Sequence, residues 1–138
     1  AGLAPALGTA QRAQFYKWLV WMTNTLQSTL IIYFYPERWA QEGDAPRAAE
    51  VRAIAAQKIA GMLDQLDAEL ARHGQAWLGG ADYSALDAYA FTLCRWTRNF
   101  ASGPARERTY LGPYLQRVLA RPEVQRVMVN EGLSAPWV

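Results

Sequence analysis

A serine three residues ahead of an aspartate, Ser84-Ala85-Leu86-Asp87, opens directly into Ala88-Tyr89-Ala90-Phe91-Thr92-Leu93-Cys94-Arg95-Trp96, and no other run constrains the fold as much. The Ser84 hydroxyl is spaced to accept from the backbone N–H of Asp87, while the carboxylate reaches back to the N–H of Ser84. Such a capping box satisfies donors that a helix cannot satisfy within itself. Between Ala85 and Leu93 the only charge is Asp87. A helix without a polar face has to be surrounded by other elements, so this segment predicts a buried central helix whose cap is worth ~0.5–2 kcal/mol.

The elements around it follow from periodicity. Thr9 caps a long first helix in which Phe15, Leu19, Met22, Leu26, Leu30 and Tyr33 recur at steps of three and four, and Pro36 bounds it. The stretch Trp18 to Pro36 carries no charge, but Thr23, Asn24, Thr25, Gln27, Ser28 and Thr29 interrupt it. A spanning helix needs ~20 predominantly apolar residues, so a membrane segment is excluded. Trp39 to Pro46 reads as a connection, and a second long helix runs from about Arg47 to Arg72, with Ile59, Met62, Leu63, Leu66 and Leu70 on one stripe, before stopping at Gly74. Ser102-Gly103-Pro104 breaks the central helix, Leu111 to Ala120 forms a shorter one, and Pro122 begins a last helix ending near Gly132. No strand pattern or repeat is visible. The expected fold is therefore all-α, a bundle of about five helices, with residues 1–8, broken by Pro5 and Gly8, as a linker and 9–138 as one domain.

A chain of 138 residues is long enough for one real core. The 14 basic and 12 acidic residues are spread along it, leaving no electrostatic footprint for nucleic acid or an anionic membrane. One cysteine permits no internal disulfide, which fits a reducing compartment. Leu3 to Leu7 is too short for a cleavable signal and lacks a basic lead-in, so the expected location is cytoplasmic.

The residues alone assemble no catalytic machine. His73 is the only histidine and sits at a helix C-terminus, where capping accounts for it. Cys94 lies in the middle of the apolar helix, with nothing nearby in sequence to stabilise a thiolate. Metal-ligand spacing and phosphate-binding glycine loops are both missing. What remains is a polar band in the first helix, Asn24, Gln27 and Ser28. Buried groups of that kind need partners, found in a ligand cleft, in a subunit interface, or through bonds to carbonyls one turn back.

Trp77-Leu78-Gly79-Gly80 before the cap, Ala90-Phe91-Thr92 through Arg95-Trp96 within the helix, and Arg121-Pro122-Glu123-Val124-Gln125 after it come in a familiar order. From Thr9 to Leu133 the chain resembles the C-terminal helical domain of glutathione S-transferases, most closely the bacterial beta-like ones. The resemblance implies a missing N-terminal thioredoxin-like domain that binds the co-substrate glutathione and activates its thiol. It also implies that the helical domain lines the pocket for a hydrophobic electrophile and takes part in a homodimer. Gly2-Leu3-Ala4-Pro5 is similar to the end of the linker between the two domains. By the same resemblance, Gln27 and Ser28 fall where beta-like members place polar groups facing the sulfur, often His and Lys. Asn24 lies one turn earlier, near a face that reaches the neighbouring subunit's glutathione. The change to Gln and Ser leaves these three residues a glutathione-binding role and no catalytic one. Trp96 matches a tryptophan bordering the electrophile pocket, and Tyr35 is placed to close that pocket from the end of the first helix; core packing is the alternative for both. Arg95 and Arg98 bracket Trp96 and either attract an anionic substrate or form a solvated, salt-bridged helix end.

The expectation is thus the electrophile-binding and dimerisation half of a detoxifying transferase, with little or no activity alone. Two other uses of the fold stand beside it. One is a non-catalytic protein-interaction module. The other is a carrier for hydrophobic ligands, in which Trp18, Trp21, Tyr33 and Phe34 line an open groove. An apolar groove left without a companion calls for a partner, and an isologous dimer is the common solution.

Overall fold

The computed structural model describes residues 2–138. Thr9 caps the first helix by accepting from the N–H of Arg12 at 3.2 Å. From there α1 (Ala10–Trp21) passes through a π-helical turn (Met22–Gln27) into α2 (Ser28–Phe34), and the three form one continuous rod. Its buried side chains explain the wide turn. Trp18, Met22, Leu26 and Leu30 are spaced by four throughout, and in an α-helix of 3.6 residues per turn such a stripe drifts by about 40° at each step. The π turn absorbs that drift and keeps the stripe facing inward. At Tyr35 the backbone leaves the helix, because the residue before a proline is disfavoured there.

After a tight turn at Pro36–Trp39, α3 (Ala45–His73) begins two residues earlier than the periodicity predicts. Asp44 caps it by accepting from the N–H of Arg47 at 3.0 Å. Pro46 belongs to the first turn rather than to the connection, since that turn leaves its N–H positions unpaired in any case. Gly74 closes the helix in the left-handed conformation, φ 60°.

The central helix α4 (Ala85–Arg95) carries the expected capping box. It ends well before Ser102. Fully buried Thr97 donates to the carbonyl of Cys94 at 2.7 Å and accepts from the N–H of Ala105 at 2.9 Å, which turns the chain back sharply. Two short helices follow, α5 (Leu111–Leu119) and α6 (Pro122–Asn130), and the only β pairing among the described residues is an isolated bridge between Trp77 and Gly80. The architecture is the expected all-α bundle, five rods when the first is counted whole.

The core sits where these rods meet: Met22, Leu26 and Leu30 against Ile59, Leu63 and Leu66, with Leu86, Leu93, Cys94, Leu111 and Leu115 completing it, all fully buried. Burying one such aliphatic side chain contributes ~1.5–3 kcal/mol. Long-range polar bonds fix the rods to one another. Asp67 of α3 accepts from the N–H groups of Tyr110 and Leu111, each at 2.7 Å, and so caps α5 from a different helix. Arg95 is buried and donates to the carbonyls of Pro136 and Trp137 at 3.0 and 2.6 Å, pinning the C-terminal segment. That placement corrects the expectation of a solvated, salt-bridged helix end. Arg95 enters no ion pair among the described residues, because the tail carbonyls occupy its guanidinium. No described helix is long and apolar enough to cross a membrane.

Candidate functional site

The end of α2 and the turn after α4 face each other. Phe34 meets Trp96 edge-on at 6.3 Å between ring centroids, and Phe100 packs on Tyr33 at 4.2 Å. Between them lies a cavity of about 460 Å3 lined by Ile31, Phe34, Tyr35, Trp96, Arg98 and Phe100, with Tyr33 and Asn99 at its edge. Local sequence explains the placement. Ile31 on the last turn of α2 and Tyr35 at its C-cap stand four apart, and Pro36 stops that helix just as its aromatic face emerges. On the other wall, the tight turns after Arg95 swing Trp96 and Phe100 toward α2. Phe34 and Tyr35 are exposed and Trp96 is half-buried, so this is an open aromatic surface rather than closed core.

The structure therefore brings Tyr35 and Trp96 together. It does not bring Asn24, Gln27 and Ser28 into the same cavity; they lie on the preceding turns of the same rod. The Ser28 hydroxyl donates back to the carbonyls of Asn24 and Thr25 at 2.7 and 3.1 Å, the internal arrangement expected of a helical serine. Gln27 is half-buried, and its Oε1 accepts from the Tyr89 hydroxyl of α4 at 2.6 Å. Asn24 is exposed, with its side chain directed to solvent. Ser84 and Asp87 are both buried and purely architectural.

Four residues in or beside the site escaped the sequence reading, Ile31, Tyr89, Asn99 and Phe100. Ile31 lay in an unbroken apolar run, and Tyr89 belonged to a helix apolar on most sides. Phe100 is four residues beyond Trp96, a helical spacing that offered a signal, although the chain there is no longer helical.

The cavity lining holds the phenols of Tyr33 and Tyr35 but no histidine, cysteine, lysine or carboxylate. The Cys94 thiol is fully enclosed, and burial pushes it up to about 12, so it stays protonated and inert at neutral pH. His73, the last residue of α3, accepts from the N–H of Gln75 at Nδ1, 2.9 Å; it thus stabilises the turn after the helix and does not cap the helix carbonyls as the sequence suggested. No cluster of three or more metal-ligating side chains occurs among the described residues. What the site offers chemically is an aromatic wall and a polar rim. A second groove of about 450 Å3 runs between α4 and α6, lined by Phe91, Trp96, Val124, Val127, Met128 and Leu133. A roomier cleft of about 700 Å3, where residues 2–5 pass the Gln75–Ser84 loop, is half polar and collects no comparable aromatic wall.

A family model described as glutathione S-transferase, C-terminal domain, matches residues 21–122. Among curated proteins, the chain is 29% identical over 131 residues to an uncharacterized GST-like protein, YncG, of Escherichia coli K12, covering 91% of this chain and 58% of that protein. Among solved structures, a glutathione transferase from Methylococcus capsulatus is similar with a TM-score of 0.76 at 28% identity, over 95% of this chain and 59% of that one. Glutathione transferase F7 from Populus trichocarpa shares the fold with a TM-score of 0.61 at 19% identity, over 90% of this chain and 57% of its own. The chain thus spans somewhat under three-fifths of the length of these relatives.

Proposed function

The chain belongs to the glutathione S-transferase C-terminal domain family, and from that premise we propose that it is the electrophile-binding half of a transferase. In this reading glutathione is bound chiefly by a thioredoxin-like domain that these residues do not contain, residues 1–8 are the end of the linker from it, and 9–138 are the helical domain. The observation that carries the reading is the cavity at the end of α2, aromatic on both walls, with two tyrosine phenols but no histidine, cysteine, lysine or carboxylate in its lining. A site built this way holds an apolar electrophile and excludes water from one side of it. Its contribution to rate is proximity and desolvation.

The reaction served is attack of the glutathione thiolate on an electrophilic carbon. The C–S bond forms as the leaving group departs with its electron pair, and the thiol proton is lost beforehand to a group outside these residues. Asn24, Gln27 and Ser28 border glutathione in this scheme. Gln27 has its carbonyl oxygen committed to Tyr89, and its amide N–H groups remain for the peptide. A homodimer is part of the proposal, with exposed Tyr16 and Val20 of α1 and Ile54 of α3 as the apolar surface available to a second copy. So is a cytoplasmic, detoxifying role.

The test is turnover. With glutathione and 1-chloro-2,4-dinitrobenzene, the 138-residue chain is expected to give the uncatalysed rate, and catalysis by the chain alone would overturn the assignment of thiol activation to another domain. A non-catalytic interaction module is the second reading, favoured by the apolar groove between α4 and α6, in which Val127 stands largely exposed.

A further inference from the structure

The aromatic cavity has one cation in its wall, and two more stand against the rings beside it. Arg98 lines it directly. The guanidinium of Arg38 stands 4.4 Å from the ring centre of Tyr35, and that of Arg52 stands 6.0 Å from the ring of Tyr33. The ion pairs of the described residues are Arg47–Glu50, Arg72–Glu69, Arg108–Asp64, Arg121–Glu123 and Arg126–Glu123, and none involves these three arginines. Arg52 lines a separate groove together with Glu37, Glu42 and Asp44, the carboxylates close by in sequence, and neither it nor Arg38 lines the aromatic cavity itself.

Arg98 is the one of the three in the cavity wall; it also borders the groove between α4 and α6 alongside Glu123, whose carboxylate is paired with Arg121 and Arg126. The Nη1 of Arg98 donates to the carbonyl of Arg95 at 3.1 Å, an oxygen that also accepts from the backbone N–H of Arg98 at 3.1 Å, and this bond anchors the guanidinium at the rim. Its remaining N–H groups donate to no other described residue. Asn99, beside it, adds an exposed amide. A half-buried guanidinium with a free edge next to aromatic faces matches a planar anion attached to a ring, since the fork of N–H groups fits a carboxylate bidentately and the ring fills the apolar wall.

We propose that the ligand of this cavity is an aromatic compound bearing an acidic substituent, a carboxylate or sulfonate, with its ring among Phe34, Trp96 and Phe100 and its anion on Arg98. This rests on the reading of the cavity as the electrophile site and narrows the substrate class. Neutral aromatics of the same shape enter the same place more weakly.

The experiment compares 1-naphthoate with its neutral near-isostere 1-naphthamide by calorimetric titration into the chain and into Arg98→Met. The chain is expected to bind naphthoate about tenfold more tightly, and Arg98→Met to reduce that ratio below about twofold while keeping its affinity for naphthamide. In the unaltered chain the preference also shrinks as salt rises from about 0.02 M to about 0.5 M, which tests the charge term without a variant. Equal affinity for the two probes, or a ratio untouched by the substitution and by salt, overturns the assignment of an acidic ligand and leaves the cavity as a neutral aromatic site. Failure of both probes to bind overturns the cavity reading itself.

Discussion

Replacing Asp87 with alanine is expected to lower the thermal midpoint of this domain by at least about 10 °C, or to prevent folding at 37 °C. The carboxylate is fully buried and accepts from four donors: the N–H of Leu78 at 2.9 Å, the N–H and hydroxyl of Ser84 at 2.7 and 3.3 Å, and the hydroxyl of Tyr114 at 2.8 Å. It joins the Trp77–Gly80 turn, the start of α4 and the middle of α5. Alanine leaves at least three donors buried without partners, at ~1–3 kcal/mol each, in a fold whose total stability is of the order of 5–15 kcal/mol. Ser84→Ala removes the hydroxyl that accepts from the N–H of Leu86 and leaves the carboxylate in place, so it costs only about 1 kcal/mol. Thermal and urea unfolding of the two variants separates a network centred on Asp87 from a simple helix cap. The same network carries a pH signature. Burial, and then the neighbouring Asp87, push the Tyr114 phenol well above its ordinary value, so the folded state holds this proton after the unfolded chain has released it. A group raised in this way contributes stability that is present in full below pH ~10 and is lost as pH climbs above it. Tyr114→Phe removes that alkaline loss.

Gly112→Ala is expected to destabilise the domain by about 2–4 kcal/mol, although helix propensity predicts the opposite sign. Gly112 is the second residue of α5, and a Cβ placed there would run into the backbone carbonyl of Arg106. Neither partner has a side chain that can rotate away. The turn at Ala105–Glu107 would have to move, yet Ala105 is fully buried and its N–H is held by Thr97. Gly61 provides the contrast. It lies on the exposed side of α3 with open space around it, and Gly61→Ala is expected to stabilise by about 0.5–1 kcal/mol. Opposite signs in chemical denaturation would establish that close approach of backbones, and not conformational freedom, is what requires glycine at 112.

The two glycines illustrate what a sequence exposes and what it conceals. Helix boundaries set by neighbours within four residues were readable: Thr9 with Arg12, Ser84 with Asp87, Gly74 after the last apolar turn of α3. The inward stripe Met22, Leu26, Leu30 was readable as well, but the π turn that keeps it aligned was not, since a spacing of four fits either helix until the drift is added up. Contacts across the fold left no local trace. The capping of α5 by Asp67 spans more than forty residues, and the grip of Arg95 on the C-terminal carbonyls spans a similar distance. Of the candidate site, Tyr35 and Trp96 were reached through their likeness to a family pattern and do share a cavity. The polar band of Asn24, Gln27 and Ser28 was legible as residues but not as partners, because which carbonyl a serine chooses is decided by local geometry. The guanidinium in the cavity wall, Arg98, and those of Arg38 and Arg52 against the neighbouring tyrosine rings come from three different segments, and charge counted along the chain averages them away.

The account stands on the cavity between α2 and the end of α4 being where an aromatic ligand sits, and a 1H–15N correlation spectrum of the chain during titration with 1-naphthamide tests this most directly. The expected result is a concentration-dependent shift of the Trp96 indole N–H together with the amides of Ile31, Phe34 and Phe100. Because Trp96 also borders the groove against α6, shifts centred on Val124, Val127 and Met128, with Ile31 and Phe100 unmoved, would contradict the account and place the ligand on the other side of α4.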